Sequence, residues 1–350
     1  MKRLSIVILN WNGLGFLRRF LPLLMEHSRL PGLEIVIADN ASGDGSIEYL
    51  QKLKGEVRLI RFDRNYGFAG GYNRALDRLD SELCLLLNSD VEVGPGWLTP
   101  LLEHMDAHPN TAACAPKVLD YKKRTYFEYA GAAGGFIDKY GYPFCRGRIF
   151  DHLEADRGQY DDPLRVFWAT GACLLIRSKA FKEAGGLDEL FFAHMEEIDL
   201  CWRLGRLGYD IYCIPQSTVY HVGGGSLPRG NPRKTYLNFR NNLLLLHKNL
   251  PLKKGRRIIF FRMLLDGISG LHFLIRGRGK DLLAIIRAHW SYFGMKNNYR
   301  GSNEWNILGE NGNIVHGIYQ GSIVSAYFLK GKRSFKQLKA SYQRKKAGED

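Results

Sequence analysis

Apolar runs that alternate with helical patterns are the feature that most constrains the fold of this chain. Four runs rich in Val, Ile and Leu occur at Leu4–Leu9, Leu33–Ala38, Val57–Phe62 and Leu83–Leu87. The stretches between them predict helices at Leu14–Glu26, Ser46–Lys54 and Ala69–Leu79. Runs that are apolar throughout are typical of strands buried on both faces. The pattern therefore predicts an α/β fold, with a mostly parallel sheet flanked by helices.

The pattern changes further along the chain. Residues 116–165 are rich in Gly, Tyr and Arg and predict irregular loops with short strands. A strand in "FWATGACLLIRS" and a helix in "HMEEIDLCWRLGRLG" follow. Beyond "HVGGGSLPRGNP" the sequence becomes basic and helical. We therefore predict a domain over residues 1–228 and a mainly helical C-terminal region over residues 229–350.

The net charge of +15 is concentrated in that C-terminal region. Residues 229–350 contain 24 Lys and Arg against 6 Asp and Glu, whereas residues 1–228 contain 26 against 29. A basic block of this kind predicts an anionic partner, which could be a membrane surface, a nucleic acid or a phosphorylated substrate. Because the sequence carries no zinc-finger, RRM or helix-turn-helix signature, we expect no nucleic-acid partner.

Cysteine usage and hydropathy predict a cytoplasmic protein. The six cysteines are scattered without a CxxC pair, which predicts buried free thiols rather than a zinc cluster. The apolar run in "MKRLSIVILNWNG" is too short for the core of a signal peptide. The chain has no run of 18 uninterrupted apolar residues, so we expect no membrane-spanning helix.

Polar side chains follow each of the four apolar runs. They are, in order, Asn10, Trp11 and Asn12; Asp39, Asn40 and Asp44; Asp63, Arg64, Asn65 and Asn73; and Asn88, Ser89 and Asp90. Each group alone is ordinary turn and helix-capping chemistry. In open parallel sheets, however, ligands bind beyond the carboxyl ends of the strands. Four such groups in succession therefore predict a ligand site at one edge of the sheet.

A glycine-rich segment, "GFAGG", follows the third run. It matches neither GxGxxG nor a P-loop, so it is a weak signal by itself. Its glycines could let the backbone approach a phosphate, or they could tighten a turn.

The segments "SIVILNWNG", "VIADNASGDGS", "RNYGFAGGYN" and "LLLNSDVEV", in this order and spacing, resemble the family 2 glycosyltransferases. They are most similar to the rhamnosyltransferase-like branch that builds bacterial surface polysaccharides. "TGACLLIRSKAFKEAGGLDELFFAHMEEIDLCWRLGRLGY" and "YHVGGGS" extend the resemblance to about residue 240. The resemblance implies the GT-A fold, a nucleotide-sugar donor, a divalent cation (Mg²⁺ or Mn²⁺) and sugar transfer with inversion.

The resemblance also assigns residues to the donor and the metal. The donor residues it implies are Asn10, Trp11, Asn12, Asp39, Asn65, Gly70, Asn73 and Asn88. Asp39 would accept from the nucleobase, and Asn88 would lie near the ribose. "NSD" occupies the DxD position, so Asp90 would ligate the metal and His221 would complete the site. Because Asn88 replaces the first Asp, we expect a weakly held metal that arrives with the donor. Independently of the resemblance, His221 could be a core or turn residue.

The helix "AHMEEIDLCWR" carries a second set of acids. The related enzymes have Glu-Asp where this chain has Glu196 and Glu197, and that Asp deprotonates the acceptor. Glu197 adds a methylene group, which changes its reach but not its ability to take a proton. Asp199 lies four residues before Arg203, so it could form an ion pair or, in another helix register, act as the base.

The resemblance places Trp168, Gly171 and Glu196 on the acceptor side. Trp168 could stack on a sugar ring or belong to the core. The segment "GRRIIFFRMLLDGISGLHFLIRGRGKDLLAIIRAHW" mixes apolar clusters with Arg and Lys. It could form a basic amphipathic helix in a membrane interface, or pack as an ordinary subdomain with a solvated basic face.

Together these features predict a metal-dependent inverting glycosyltransferase. Its acceptor would be a glycan or a lipid-pyrophosphate-linked glycan, and its leading donor dTDP-rhamnose. The enzyme would then work at the inner face of the cell membrane. One alternative is a sugar-nucleotidyltransferase, against which stands the absence of a Gly-rich, basic triphosphate loop after the first strand. The other is a non-catalytic membrane or nucleic-acid adaptor, which would bind no donor.

Overall fold

The computed structural model describes residues 2–223, 230–299 and 315–338 of the chain. Its strands are β1 (Lys2–Asn10), β2 (Leu33–Asp39), β3 (Arg58–Arg61), β4 (Ser81–Asn88), β5 (Val91–Val93), β6 (Thr111–Asp120), β7 (Gly135–Asp138), β8 (Pro143–Cys145), β9 (Arg148–Ile149), β10 (His152–Leu153), β11 (Leu164–Arg165), β12 (Cys173–Arg177), β13 (Asp210–His221) and β14 (Ile318–Tyr319). The four strands predicted in the first ninety residues are all present, with ends shifted by one or two residues.

The helices of the described residues are α1 (Leu14–His27), α2 (Ser46–Lys52), α3 (Gly67–Leu76), α4 (Thr99–Ala107), α5 (Ser178–Glu183), α6 (Glu196–Arg206), α7 (Pro232–Asn249), α8 (Leu252–Ile275) and α9 (Gly279–Met295). Short 3₁₀ turns occur at Glu189–Phe191 and Lys296–Tyr299, and a π-helical turn occurs at Ser325–Leu329. The predicted helix in "HMEEIDLCWRLGRLG" begins at Glu196, because His194 and Met195 have positive φ angles.

The main sheet has the order β11-β13-β6-β12-β4-β1-β2-β3, with β5 paired to β13. The half formed by β4, β1, β2 and β3 is parallel throughout. In the other half, β12 runs antiparallel to both of its neighbours. The carboxyl ends of the parallel strands therefore share one edge, and Asn10 pairs in register with Asp39 there.

The main sheet is covered on both faces. Val7 and Leu86 belong to the core cluster on one face, which also contains side chains of α3 and α7. Their neighbours Ile6 and Leu85 belong to the cluster on the other face, with side chains of α1 and α4. Successive strand residues point to opposite faces, so burial of both faces requires an unbroken apolar sequence.

Residues 116–165 form loops and short strands, as the sequence predicts. Residues 116–120 continue β6, and the later part supplies most of a second sheet with the order β10-β9-β8-β7-β14. Its strands have two to four residues, so their periodicity is too short to recognise in the sequence. The prediction of loops with short strands is therefore confirmed, although the sequence did not reveal that these strands pair into a sheet.

The predicted domain boundary at residue 228 lies outside the described residues. The helix that follows, α7, contributes Leu243–Leu246 to the same core as β1 and β4, and each of these leucines is at most 1% exposed. Helix α7 therefore shares the core on one face of the main sheet rather than forming an independent core.

One helix bears on the expectation of no membrane-spanning segment. Within the described residues, α8 alone is long and apolar enough to cross a membrane by length and composition. The sequence criterion, which required 18 uninterrupted apolar residues, does not select α8 because Arg262 and Asp266 interrupt the run. All six cysteines, in contrast, are free and buried as predicted.

Candidate active site

The ends of β1 and β2 form a hydrogen-bonded network around Asp39. Asn10 is fully buried, and its Nδ2 donates to Asp39 Oδ2 at 2.9 Å and to Ser42 Oγ at 3.1 Å. The backbone N–H of Ser42 donates to Asp39 Oδ1 at 2.9 Å. Each carboxylate oxygen retains acceptor capacity beyond these bonds. Asp39 is therefore held rigidly at the sheet edge and can still accept from a ligand N–H.

Asn12 and Trp11 form the rim beside this network. Asn12 has a positive φ of 52°, and its Oδ1 accepts from the Gly43 N–H at 2.8 Å. This bond ties the end of β1 to the loop after β2. Trp11 is 48% exposed, so its ring is available to a bound group.

Two predicted donor residues use their amides within the protein instead. Asn65 Oδ1 accepts from Asn40 Nδ2 at 3.0 Å and from the Gly67 N–H at 2.8 Å. Asn73 exchanges two hydrogen bonds with the backbone of Leu187, at 2.7 and 2.9 Å. The structure thus gives both side chains structural partners, and Asn73 fixes the loop that leads to α6.

The glycines of "GFAGG" provide close packing inside the protein. A Cβ at Gly67, whose φ is +73°, would lie 2.5 Å from the ring of Phe192. A Cβ at Gly71 would lie 2.6 Å from Leu9. Gly70 faces the ion pair between Arg74 and Glu189. Gly67 and Gly71 therefore let α3 approach the Phe192 turn and β1.

Asp90 and His221 lie together at the end of β4 and β13. Both are buried, and His221 Nε2 lies 3.1 Å from Asp90 Oδ1. The pairing of β5 with β13 brings Val91 opposite His221, so adjacent strands fix the two side chains. The sequence predicted this pair, although 131 residues separate its members.

Glu128 is a third member of the group that the sequence analysis missed. It is 3% exposed, and its Oε2 lies 3.5 Å from His221 Nδ1. Its neighbours in sequence show no periodicity, and it lies in a connection between β6 and β7, so nothing local marks it. The imidazole of His221 therefore lies between two carboxylates.

This arrangement changes the pKa values of His221 and Glu128. Burial by itself lowers the pKa of His221, but Asp90 and Glu128 outweigh burial and raise it to about 10. Burial raises the pKa of Glu128, but His221 outweighs that effect and lowers it. The protein alone therefore holds His221 as a cation between anions, and a proton must leave when the imidazole ligates a metal.

The donor set of Asp90 and His221 fits Mn²⁺ or Mg²⁺ bound together with a ligand. A carboxylate oxygen and an imidazole nitrogen side by side can both coordinate one divalent cation. Among the described residues, no group of three or more His, Cys, Asp or Glu is arranged to hold a metal by itself. The remaining ligands would have to come from a bound diphosphate or from water.

Helix α6 begins with two adjacent acids that are largely shielded from solvent. Glu196 is 4% exposed, and Glu197 is half-buried on the next position of the helix. Oε2 of each accepts no hydrogen bond from the described residues. Burial raises the pKa of both carboxyls, and the nearby Glu197 raises that of Glu196 further. A carboxyl in this environment is a competent proton acceptor near neutral pH.

Asp199 has a different environment from Glu197. Its Oδ2 pairs with Arg203 at 2.8 Å and with Lys248 at 2.9 Å, and its Oδ1 accepts from Asn249 Nδ2 at 2.7 Å. Burial by itself raises the pKa of Asp199, but Arg203 and Lys248 outweigh it and lower it to about 2. These contacts make Asp199 a structural anion that joins α6 to α7, and they correct its assignment as an alternative base.

The turn before α6 is strained and is held from α7. Phe192, His194 and Met195 have φ angles of 64°, 71° and 75°, a region that costs side chains about 1 kcal/mol or more each. Asn241 Nδ2 lies 2.7–2.9 Å from the carbonyl oxygens of Phe191, Ala193 and His194. Arg240 Nε donates to Asn241 Oδ1 at 2.8 Å and so orients the amide.

The segment Thr170–Ala172 touches three parts of the site. The carbonyl of Ala172 accepts from the Asn88 N–H at 3.0 Å. Thr170 Oγ1 donates to the Ala130 carbonyl at 2.7 Å, in the turn that carries Glu128. A Cβ at Gly171 would lie 3.7 Å from Glu197 Cβ. The DxD-like strand end, the Glu128 turn and Glu197 therefore meet around this segment.

Trp168 does not lie on an open acceptor surface. It is 5% exposed, and its Nε1 donates to the Phe136 carbonyl at 3.0 Å. Its ring packs against Gly135 of the second sheet. The structure therefore corrects the acceptor-side assignment of Trp168, because the ring is a core residue that joins the two sheets.

Comparison with known proteins identifies this arrangement. The model of the family described as glycosyl transferase family 2 matches residues 5–185, which is half of the chain. The chain belongs to glycosyl transferase family 2. It is therefore a glycosyltransferase, as the sequence predicted, and it is similar to an L-rhamnosyltransferase.

Relatives of this family 2 enzyme act in glycan synthesis. The N-acetylglucosaminyl-diphospho-decaprenol L-rhamnosyltransferase of Mycobacterium tuberculosis is 27% identical over 232 residues, which cover 62% of this chain and 75% of the relative. The low-salt glycan biosynthesis hexosyltransferase Agl10 of Haloferax volcanii is 26% identical over 247 residues, which cover 69% of this chain and 74% of the relative.

Solved structures confirm the GT-A fold. GalNAc-T7 with UDP, GalNAc and Mn²⁺ aligns with a TM-score of 0.53 at 19% identity, over 70% of this chain and 48% of that one. The mannosyltransferase PcManGT from Pyrobaculum calidifontis, in complex with GDP-Man and Mn²⁺, aligns with a TM-score of 0.52 at 13% identity, over 83% of this chain and 87% of that one.

Proposed function

We propose that this family 2 enzyme is an inverting, metal-dependent glycosyltransferase in which Glu197 is the base. The observation that carries the proposal is the meeting of the DxD-like strand end, the Asp90–His221–Glu128 group and Glu197 around Thr170–Ala172. This geometry brings a leaving-group site and a proton acceptor to a single segment.

The choice of the base rests on the different environments of Glu197 and Asp199, two acids on α6. Glu197 has a raised pKa and an oxygen without a hydrogen-bond partner among the described residues. Asp199 is neutralised by Arg203 and Lys248. In the proposed single displacement, Glu197 takes the proton of the acceptor hydroxyl, and the acceptor oxygen attacks the anomeric carbon. The nucleoside diphosphate leaves from the opposite face, so the configuration inverts.

Asp90 and His221 are the residues that would hold a divalent cation. When bound, Mg²⁺ or Mn²⁺ would neutralise the charge that develops on the leaving diphosphate. Glu128 would orient His221 and stabilise its positive charge before the metal arrives. Asp39, Asn10 and the Trp11–Asn12 rim would bind the nucleoside, and Asn88 would lie near the ribose.

We propose dTDP-rhamnose as the donor and a glycan on a lipid pyrophosphate as the acceptor. The relative from M. tuberculosis supports this choice, since its name specifies L-rhamnosyl transfer to N-acetylglucosaminyl-diphospho-decaprenol. An acceptor of this class is anchored in a bilayer, so we propose that the enzyme works in the cytoplasm at the inner face of the membrane. Membership in family 2 leaves the nucleotidyltransferase and adaptor alternatives without support.

The proposal is tested by measuring the thermal stability of the full chain with nucleotide-sugars, with and without Mn²⁺. A ligand that binds only the native state raises its stability, by about 2.7 kcal/mol at a hundredfold excess over Kd. We expect a rise in melting temperature with one nucleotide-sugar, and a larger rise when Mn²⁺ is present. An equal rise without metal would contradict metal dependence, and no response to any donor would contradict the function. The anomeric configuration of the product, read by NMR, tests inversion.

A further inference from the structure

Helices α8 and α9 pack against each other, and both expose apolar side chains, which together we call the apolar face of α8–α9. Its members are exposed by 44–78%: Phe260, Phe261, Leu264, Ile268, Leu271, Leu274 and Ile275 on α8, and Leu283, Ile286, Trp290 and Phe293 on α9. Spacings of three and four residues align them as a stripe on each helix. Exposed apolar patches of this kind mark interaction sites.

The polarity of α8 is the reverse of that expected for a helix on a water-soluble surface. Arg262 and Asp266 lie on its buried side, where Arg262 Nε donates to Asp266 Oδ1 at 3.2 Å. His289 of α9 lies 3.3 Å from Asp266 Oδ2, and the Arg262 guanidinium lies 3.3 Å from the ring centroid of Tyr142. In the middle of the helix, Arg262 and Asp266 thus face the protein, whereas the apolar side chains around them face outward, which favours apolar surroundings for the outer face.

Basic side chains border both ends of the apolar face. Exposed positions at the start of α8 are Lys253, Lys254, Arg256 and Arg257, and those at the turn into α9 are Arg276, Arg278 and Lys280. Between residues 252 and 299 the only acids are Asp266 and Asp281, and both are buried. A second copy of the chain, docked face to face, would bring two like-charged borders together. An anionic lipid surface complements both the charge and the apolar stripe.

We propose that the apolar face of α8–α9 is a membrane-contact surface that lies in the interfacial plane of an anionic bilayer. Trp290 and the phenylalanines insert at the level of the headgroups, and the bordering Lys and Arg contact lipid phosphates. The helix α8 does not cross the bilayer, because its inner side packs on α7 and α9 and carries the Arg262–Asp266 pair. Because basic residues border both ends of the apolar face, both ends can contact the lipid phosphates of a single leaflet.

The test is co-sedimentation of the full chain with vesicles of phosphatidylcholine, with and without phosphatidylglycerol. The wild-type protein should sediment with the anionic vesicles, and a fraction should remain bound at roughly 500 mM salt, where surface charges are screened. The double variant Ile268→Asn/Trp290→Ser should bind at least tenfold more weakly. Leu30→Asn is the matched control, since Leu30 is 41% exposed on the loop between α1 and β2 and should be neutral.

Any of four results would overturn the proposal. The first is wild-type protein that stays in the supernatant with both kinds of vesicle. The second is equal binding by wild-type protein and a folded double variant, with folding checked by circular dichroism. The third is a dimer without lipid that the double variant dissociates while vesicle binding is unchanged. Cleavage of the α8–α9 turn by a protease trapped inside the vesicles would show that α8 spans the bilayer and would exclude the in-plane orientation. Vesicle binding needs no sugar transfer, so the result is independent of the proposed function.

Discussion

Asn241, on α7, lies 2.7 Å from the carbonyl oxygen of His194, in the strained turn that precedes α6. Its other contacts are the carbonyls of Phe191 and Ala193, so one amide contacts three carbonyl groups of the turn. The orientation of Glu197 therefore depends on a helix from the basic C-terminal third of the chain.

This dependence predicts that Asn241→Ala lowers kcat by about tenfold or more, since small displacements of a catalytic group are costly. Asn242→Ala is the matched control. The Asn242 amide is also buried and donates to a backbone carbonyl, that of Gly141, at 2.9 Å, away from the turn. Both substitutions should cost about 1–3 kcal/mol of stability, measured by urea unfolding. Equal loss of kcat in the two variants would contradict a positioning role for Asn241.

Substitutions of Glu197 and Asp199, both on α6, should have opposite effects on activity and stability. Glu197→Gln should lower transfer by about 100-fold or more, because an amide cannot accept the proton. It should leave the free energy of unfolding unchanged or raise it at pH 8, since ionisation of a carboxyl with a raised pKa opposes folding. Nucleoside-diphosphate release and chemical unfolding measure the two effects.

Asp199→Asn should behave in the opposite way. Removal of one partner from a buried charge network costs about 3–5 kcal/mol, because Arg203 then lacks its counter-ion and Lys248 keeps only Asp188. The pKa of Asp199 is lowered to about 2, so its stabilisation is present above the unfolded pKa. The difference between wild type and variant should therefore shrink as the pH falls from about 4 towards 2. A stable but inactive Asp199→Asn protein would instead identify Asp199 as the base.

The parts of this molecule that the sequence predicts correctly are those with local signals. Strands β1 to β4 are rich in Val, Ile and Leu, and Asp90 lies two residues after the end of β4. Glu128 and Asn241 are different, because each acts on a residue far away in the chain and lies among neighbours of ordinary composition. Trp168 and Asn73 were predicted to contact ligands. In the structure, the Trp168 ring packs in the core and the Asn73 amide bonds to the backbone of Leu187. Residue type and sequence position indicate which side chains could bind a ligand or react. Long-range contacts decide which of those side chains are free to do so.

The activity of the enzyme should rise with pH through about 7. Burial raises the pKa of Glu197 to about 7, so the base is protonated and inactive below that value and ionised above it. The profile of kcat against pH should therefore show an ascending limb near neutrality. Because Glu196 is adjacent, that limb reports the titration of the pair. Asn242→Ala should keep the same limb, and an ascending limb near pH 4.5 would contradict the buried environment of the base.

Removal of the metal or of Asp90 should abolish most of the activity. Asp90→Asn removes a hard anionic ligand and the counter-charge of His221, which lies 3.1 Å away. We expect turnover to fall by about 100-fold, which corresponds to about 2.7 kcal/mol of transition-state stabilisation. EDTA should inhibit the wild-type enzyme to a similar extent, and Mn²⁺ should restore it. Glu92→Gln is the matched control, because Glu92 lies two residues away and pairs with the exposed Arg124 at 2.7 Å. Loss of a surface pair costs at most about 1 kcal/mol of stability, so this variant should retain metal-dependent turnover. Full activity of the wild-type enzyme in EDTA would show that the Asp90–His221 pair acts without a metal, as a buried ion pair that maintains the shape of the site.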